Sequence, residues 1–367
     1  MKSIYIWQQT DWPDFTWDDA KLSYKLGRVR GLQGRLVGRM SALGFDLKNS
    51  AMLDALTADI TKSSEIEGEI LNVDQVRSSV ARHLGIEIEG LPEADRYIDG
   101  VVQVMIDATQ NYMQPLTAER FFNWHAALFP TGRSGVYKIT VADWRQGAEP
   151  MQVISGAMGK EKIHYQAPDS DHVPYQMKLF LEWVNGNQKI DPVLKAAIAH
   201  LWFVTIHPFD DGNGRISRTI TDLFLARADE MPHRFYSMSA EIRKQRKGYY
   251  EILEKTQKGD LDITGWLEWF LNCLESALLD TEKSISTVLQ KSAFWDKYRF
   301  VSMNERQIRI VNMLWDGFDG KLTSSKWGKI TKCSADTALR DIQDLINKGV
   351  LRKTNERGRS TNYELFL

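Results

Sequence analysis

The stretch His207-Pro208-Phe209-Asp210-Asp211-Gly212-Asn213-Gly214-Arg215-Ile216-Ser217-Arg218 organises the reading of this 367-residue chain. Upstream, Asp191-Pro192 supplies an N-cap and first-turn pair, and Leu194, Ala197, Ile198, Leu201, Trp202 and Thr205 recur at helical spacing. Downstream, Ile216, Ile220, Leu223 and Phe224 repeat that spacing. The pattern predicts a helix, a tight loop and a second helix. Glycines on both sides of Asn213 let the backbone turn and bring its N–H groups close to a ligand. The start of the second helix adds the positive end of a dipole, so the loop suits an anion. Arg215 and Arg218, three apart, offer forked donors for phosphate oxygens. Asp211 is a carboxylate placed to hold a divalent cation against phosphates, and His207 is placed as a general base toward a hydroxyl. Each piece alone is ordinary; their crowding into twelve residues is not.

Outward from this centre the chain reads as mainly α. Helices are expected from Asp18 to about Met40, from Asp46 to about Ile66, twice within 92–128 around Pro115, and over 239–257 and 262–290. Gly68 is read as the stop of the second helix. Between Gly132 and Pro168, β-prone pieces at Val136–Ile139, Met151–Ile154 and Lys162–Tyr165 are broken by glycines, which predicts a hairpin region. The aromatic segment Tyr5, Trp7, Trp12, Phe15 and Trp17 is expected to lie extended and packed on the body.

Apolar residues make up 43% and charged residues 26%, the balance of a folded globular protein. A formal charge of −1 gives the whole chain no bulk attraction to nucleic acid or acidic membranes. Cys273 and Cys333 lie far apart without metal-ligand neighbours, so neither a disulfide framework nor a zinc site is indicated. No window approaches the roughly 20 apolar residues of a membrane span, and the N-terminus lacks the apolar run of a signal peptide. A cytoplasmic protein without membrane contact is expected.

HPFDDGNGRISR resembles the signature of the Fic domain family, H-x-F-x-[DE]-G-N-[GK]-R-x-x-R, over its full length. The resemblance implies a helical Fic fold that transfers AMP from ATP to a side-chain hydroxyl of a target protein, itself included. By position it implies His207 as the base, Phe209 as a packing anchor, and Asp211 as the ligand of Mg²⁺ or Mn²⁺. Gly212, Asn213 and Gly214 would form the anion hole, Arg215 would face the β-phosphate region and Arg218 the γ-phosphate. Glycine after Asn213, where kinase-like relatives carry lysine, favours nucleotidyl over phosphoryl transfer. Ser63-Ser64-Glu65-Ile66-Glu67-Gly68 resembles the family's inhibitory helix motif, [ST]-x-x-x-E-[GN]. Ser63 and Glu67 fall one helical turn apart on one face, and the resemblance implies that Glu67 pairs with Arg218 and leaves ATP in an unproductive pose. Enzymes of this class can also remove AMP. The hairpin region takes the place of the family's flap, which docks a target segment as an added strand. Val153-Ile154-Ser155-Gly156 is its nucleotide-proximal stretch, with Lys162-Ile163-His164-Tyr165 opposite. Gly248-Tyr249-Tyr250 and Gln257 resemble the helix lining the adenine pocket, and the opening YIWQQTDWPDFTWD resembles a bacterial subgroup. Homodimers are common in the family.

Residues 300–367 resemble a winged helix: helices at Glu305–Trp315, Ser324–Ile330 and Ser334–Asn347, then strands at Gly349–Leu351 and Tyr363–Leu365 around a basic loop. From residue 301 onward, 12 basic residues face 8 acidic ones, whereas residues 1–300 hold 35 and 40. Near-neutrality therefore hides an acidic body and a basic tail. Three parts are expected: an N-terminal module over 1–90, the catalytic core over 91–295, and the tail over 300–367. The leading reading is a Fic helical fold with a β-hairpin flap, an N-terminal helical extension and a C-terminal winged helix, acting as a self-inhibited AMP transferase. The alternative is a DNA-binding regulator with a Fic-like ligand-sensing core, in which Asp336, Asp341 and Asp344 on the reading helix weaken DNA contact.

Overall fold

A computed structural model describes residues 5–41, 44–88, 90, 92–156, 160, 162–232, 234–315, 317–354 and 361–366. The chain divides into two compact units, Met1–Thr281 and Glu282–Leu367. In chain order the helices that begin in the first unit are α1 (Asp19–Ser41), α2 (Phe45–Ile66), α3 (Val73–Leu84), α4 (Arg96–Gln110), α5 (Ala118–Leu128), α6 (Val173–Asn185), α7 (Pro192–Ile206), α8 (Asn213–Asp229), α9 (Met238–Lys244), α10 (Arg246–Gln257) and α11 (Thr264–Lys297). Between α5 and α6 lie two antiparallel pairs, β1 (Arg133–Ser134) with β2 (Tyr137–Lys138) and β3 (Gln152–Ser155) with β4 (Lys162–Gln166).

The centre of this unit is α7, with α8 packed on it. Asp191 caps α7 by accepting from the Val193 N–H at 2.8 Å, Pro192 fills the first turn, and every residue from Val193 to Ile206 except Lys195 is buried. A helix that is apolar all round has no solvent face and must be wrapped by others. In α8 even Arg215, Arg218 and Asp222 are buried.

Two expectations need revising. The segment 73–84, given no element from the sequence, is helix α3. Asn72 caps it by accepting from the Gln75 N–H at 3.1 Å, Gly85 ends it in the left-handed region, and Val76 and Val80 are buried one turn apart. The run 239–257 breaks into α9 and α10 at Gln245. As expected, α2 ends at Ile66, with Glu67 as its C-cap and Gly68, at φ +89°, as its stop. The carboxylate thus hangs from a helix end.

A buried ion cluster fixes where α2 lies against α8. Arg234 donates to Asp59 of α2 at 2.6 Å and to Asp222 of α8, and all three side chains are at most 2% exposed. Burial raises both carboxyls, Asp222 to about 7, against the pull of the guanidinium. Removing one partner of such a cluster costs about 3–5 kcal/mol, because the remaining charges stay buried.

The aromatic N-terminal segment packs on the body as expected, but it is not extended throughout: Ile6–Gln8 form a 3₁₀ turn. The Trp7 indole N–H donates to the Gln166 carbonyl at 2.9 Å, the Trp12 indole to Gln176, and the Tyr5 ring meets Tyr165 edge-on at 5.3 Å. It thereby braces β4.

In the second unit, α12 (Glu305–Trp315), α13 (Ser324–Thr331) and α14 (Ala335–Asn347) precede β5 (Leu351–Lys353) and β6 (Tyr363–Leu365), which pair antiparallel. Ile310, Val311, Trp327, Ile342, Leu345 and Val350 form its core. Arg357 and Arg359, counted in the basic tail, lie outside the described residues.

Candidate active site

Chain geometry at the end of α7 builds the site. His207 closes the helix in the left-handed region (φ 53°), its N–H bonded to the Phe203 carbonyl. A non-glycine residue stays in that region only when its surroundings hold it. Here Arg145 does so: its Nε donates to the His207 carbonyl and its backbone N–H to the Pro208 carbonyl, both at 2.8 Å. Asn213 then staples the loop, its side-chain oxygen accepting from the Phe209 N–H at 2.9 Å and its amide donating to the Phe209 carbonyl at 2.8 Å. Phe209 is fully buried and stacks on His125, with ring centroids 4.2 Å apart. Burial lowers His125 to about 4, so its Nε2–H donates to the Asp211 carbonyl, 3.2 Å away. Phe209 and Asn213 thus form the rigid floor of the loop, and neither Arg145 nor His125 carried a signal in the sequence.

His207 Nδ1 lies 3.2 Å from the Val204 carbonyl, which can only accept, so Nδ1 carries the proton and Nε2 is left with a lone pair. Burial, with Arg145 adding to it, lowers His207 to about 4 against the opposing pulls of the Val204 carbonyl, Glu67 and Asp211. The imidazole is therefore neutral, a base ready at physiological pH. The Asp211 carboxylate accepts from the Gly212 N–H at 2.6 Å and from the Ser134 hydroxyl. The first N–H groups of α8 have no intrahelical partner.

These groups share one cavity of about 480 Å³. It is lined by Glu67, Val153, Ile154, Ser155, His164, His207, Asp211, Gly212, Asn213, Gly214, Tyr249, Tyr250 and Gln257, all expected from the sequence, and also by Arg246 and Glu254, which were not. Its size suits a nucleotide-sized ligand. Gly156, Arg215 and Arg218 are not among the lining residues; Arg215 lines a neighbouring cavity with Glu67, Glu69 and Tyr97. Of the two tyrosines, Tyr249 is buried with its hydroxyl on His200 at 2.9 Å, while Tyr250 is 36% exposed with the Arg246 guanidinium 5.3 Å over its ring. Gln257 is held by the Thr205 hydroxyl at 3.3 Å.

Both arginines of the loop are occupied. Arg218, 1% exposed, donates through Nε to the Ser63 hydroxyl at 2.9 Å and through Nη2 to the Ser63 carbonyl at 3.0 Å and Glu67 Oε1 at 2.7 Å. Its buried Nη1 has no hydrogen-bond partner among the described residues. A Cβ at position 214 would fall 2.2 Å from Glu67 Oε1, so only glycine admits the carboxylate over the loop. Arg215 donates to the Tyr97 hydroxyl at 2.8 Å and lies 3.3 Å from Glu69, while Tyr97 donates to Glu69 at 2.6 Å. One acidic segment, Glu67 to Glu69, therefore engages both guanidiniums. Nothing in the sequence marked Tyr97.

Comparison with known proteins completes the description. Residues 115–225 match the Fic/DOC family profile, and residues 5–86 match a domain of unknown function, DUF4172. Protein adenylyltransferase Fic of Drosophila grimshawi is 26% identical over 231 residues, 62% of this chain and 43% of its own length. Its namesake in Culex quinquefasciatus is 27% identical over 241 residues, 65% of this chain and 43% of its own. The chain thus spans less than half the length of these curated relatives. Among solved structures, a Fic family protein from Desulfovibrio desulfuricans G20 aligns with a TM-score of 0.54 at 21% identity, covering 96% of this chain and 98% of that one. The mainly helical Fic fold expected from the sequence is borne out by that likeness.

Proposed function

Because residues 115–225 of this chain form a Fic/DOC family domain, we propose that the protein transfers AMP from ATP to a Ser, Thr or Tyr hydroxyl of a target protein, and that Glu67 restrains it. The observation carrying this reading is a neutral His207, with Nε2 as its free acceptor, in one cavity with the Asp211 carboxylate and the start of α8. In the reaction the phosphates of ATP lie over Gly212, Asn213 and Gly214. His207 Nε2 takes the proton of the acceptor hydroxyl, whose oxygen attacks the α-phosphorus as the bond to pyrophosphate breaks. Positioning and charge neutralisation supply most of the rate.

Asp211 is the residue that would hold Mg²⁺. Among the described residues no cluster of three or more His, Cys, Asp or Glu forms a protein cage; a single carboxylate beside a phosphate loop fits an ion that takes its other ligands from phosphates and water. Bound there, the ion would neutralise phosphate charge. Target docking fits the flap, where Ile154 and Ile163 pair in register and are both exposed. Removal of AMP, with Glu67 orienting a water, is the reverse activity of the same site.

The lowered His207 fixes a pH signature. The base acts unprotonated, so kcat/KM should fall only as pH drops through about 4. Measured with a Glu67→Gly variant and a fixed target protein, the rate should be flat from pH 5 to 8. An acid limb centred near the ordinary histidine value of about 6.5 would contradict the assignment.

A second reading draws on the tail. Two of the acids that weaken DNA contact are tied up within the second unit: Asp341 accepts from Arg306 at 2.8 Å and Asn304 at 2.9 Å, and Asp344 from Lys348 at 2.5 Å and Gln307 at 2.8 Å. We propose that this unit is a winged helix whose basic side contacts DNA phosphates. The full chain should then retard duplex DNA in a salt-dependent way, and His207→Ala should retard it equally; no shift at low salt would rule this out.

A further inference from the structure

Within the same cavity stands a second base and hydroxyl that the reaction above does not use. The Ser155 hydroxyl on β3 lies 2.5 Å from Nε2 of His164 on β4, and His164 Nδ1 lies 2.6 Å from Oε2 of Glu254 on α10. A carboxylate only accepts, so Nδ1 carries a proton, and in the neutral imidazole Nε2 is then the acceptor and the serine the donor. Glu254 stays ionised: burial would raise it, but hydrogen bonds from Lys258 at 2.7 Å and from His164 hold it down to about 2. A hydroxyl donating to a base that a carboxylate orients is the arrangement of an activated nucleophile. Ser155 is exposed, and all three residues line the cavity that also holds His207, Asp211 and the start of α8.

We propose that Ser155 is itself an acceptor, with His164 as its base and Glu254 positioning the ring. This rests on the AMP-transfer reading. The Ser155 oxygen attacks the α-phosphorus of ATP, its proton passes to His164 Nε2, the bond to pyrophosphate breaks, and AMP remains as an ester on the flap. Each chain accepts one AMP at this position, next to the exposed Ile154 that a docking segment would meet.

The sequence makes the test clean. Cleavage after Arg145 and Lys160 releases residues 146–160, in which Ser155 is the only hydroxyl-bearing residue. Full-length Glu67→Gly protein incubated with ATP and Mg²⁺, digested with trypsin and weighed by mass spectrometry, should show this peptide with one added AMP. Adding His164→Ala should slow adduct formation by about 10²-fold, whereas adding His207→Ala should leave the adduct while labelling of other proteins in a lysate is lost. Glu254→Ala should lower the rate constant with the half-saturating ATP concentration unchanged, a split that loss of the fold would not produce. An unmodified 146–160 peptide alongside labelled lysate proteins would overturn the Ser155 proposal alone, as would an adduct that survives His164→Ala and vanishes with His207→Ala. Absence of AMP from every peptide and every lysate protein would instead overturn the AMP-transfer reading beneath it.

Discussion

Glu67→Gly is expected to raise AMP transfer to lysate proteins by about 10²-fold. Two effects act together. The substitution releases Arg218 Nη2 from its 2.7 Å bond to Glu67 Oε1, and it removes a negative charge from above Gly214, where that oxygen fills the space a Cβ would need. A charge about 4 Å from a phosphate costs about 4 kcal/mol at an effective dielectric of 20. The Glu67 side chain is 36% exposed, so solvent screening brings this to about 2–3 kcal/mol, and each 1.36 kcal/mol is tenfold in rate. Glu67→Gln, which removes the charge but retains an oxygen for Arg218, should give an intermediate gain. A Glu67→Gly protein that folds, binds ATP and labels no faster than the parent would show that Glu67 does not restrain the site. Arg218 itself stays in place through its two bonds to Ser63, so the gain should appear without a large change in fold.

The second large effect is a loss. In the Glu67→Gly background, His207→Ala should lower transfer to target proteins by about 10²–10⁴-fold, the usual contribution of a general base. Half-saturating ATP should move little, because the loop is held by groups other than the imidazole: Asn213 on Phe209, and Arg145 on the backbone of His207 and Pro208. A fall in ATP affinity with an unchanged maximal rate would make His207 a binding residue. Steady-state rates over a range of ATP concentrations separate the two outcomes.

Much of this was open to reading from the residues alone. The α7–loop–α8 unit announced itself through Asp191-Pro192, two apolar periodicities and a glycine-bounded turn, because caps and periodicity are local properties. Ser63 and Glu67 were readable for the same reason, lying one turn apart near a helix end. What the sequence withheld was long-range. Arg145 and His125 reach the catalytic loop across 62 and 86 residues, Tyr97 reaches Arg215 across 118, and Glu254 meets His164 across 90. None carries a local pattern, since an arginine that holds a carbonyl looks in sequence like any surface arginine. Helix α3 was missed although its Asn72 and Gly85 caps were visible, because its apolar stripe is thin. The break at Gln245 was missed because helical spacing continues on both sides of it.

The position of the transferred label separates AMP transfer from phosphoryl transfer most directly. Glu67→Gly and parent protein would each be incubated in parallel with ATP labelled at the α- or the γ-phosphate, Mg²⁺ and a cell lysate, and protein-bound label counted. AMP transfer restrained by Glu67 requires α-label on protein, about 10²-fold more with Glu67→Gly than with the parent, and no γ-label. Protein-bound γ-label, or α-label equal in the two proteins, would contradict it.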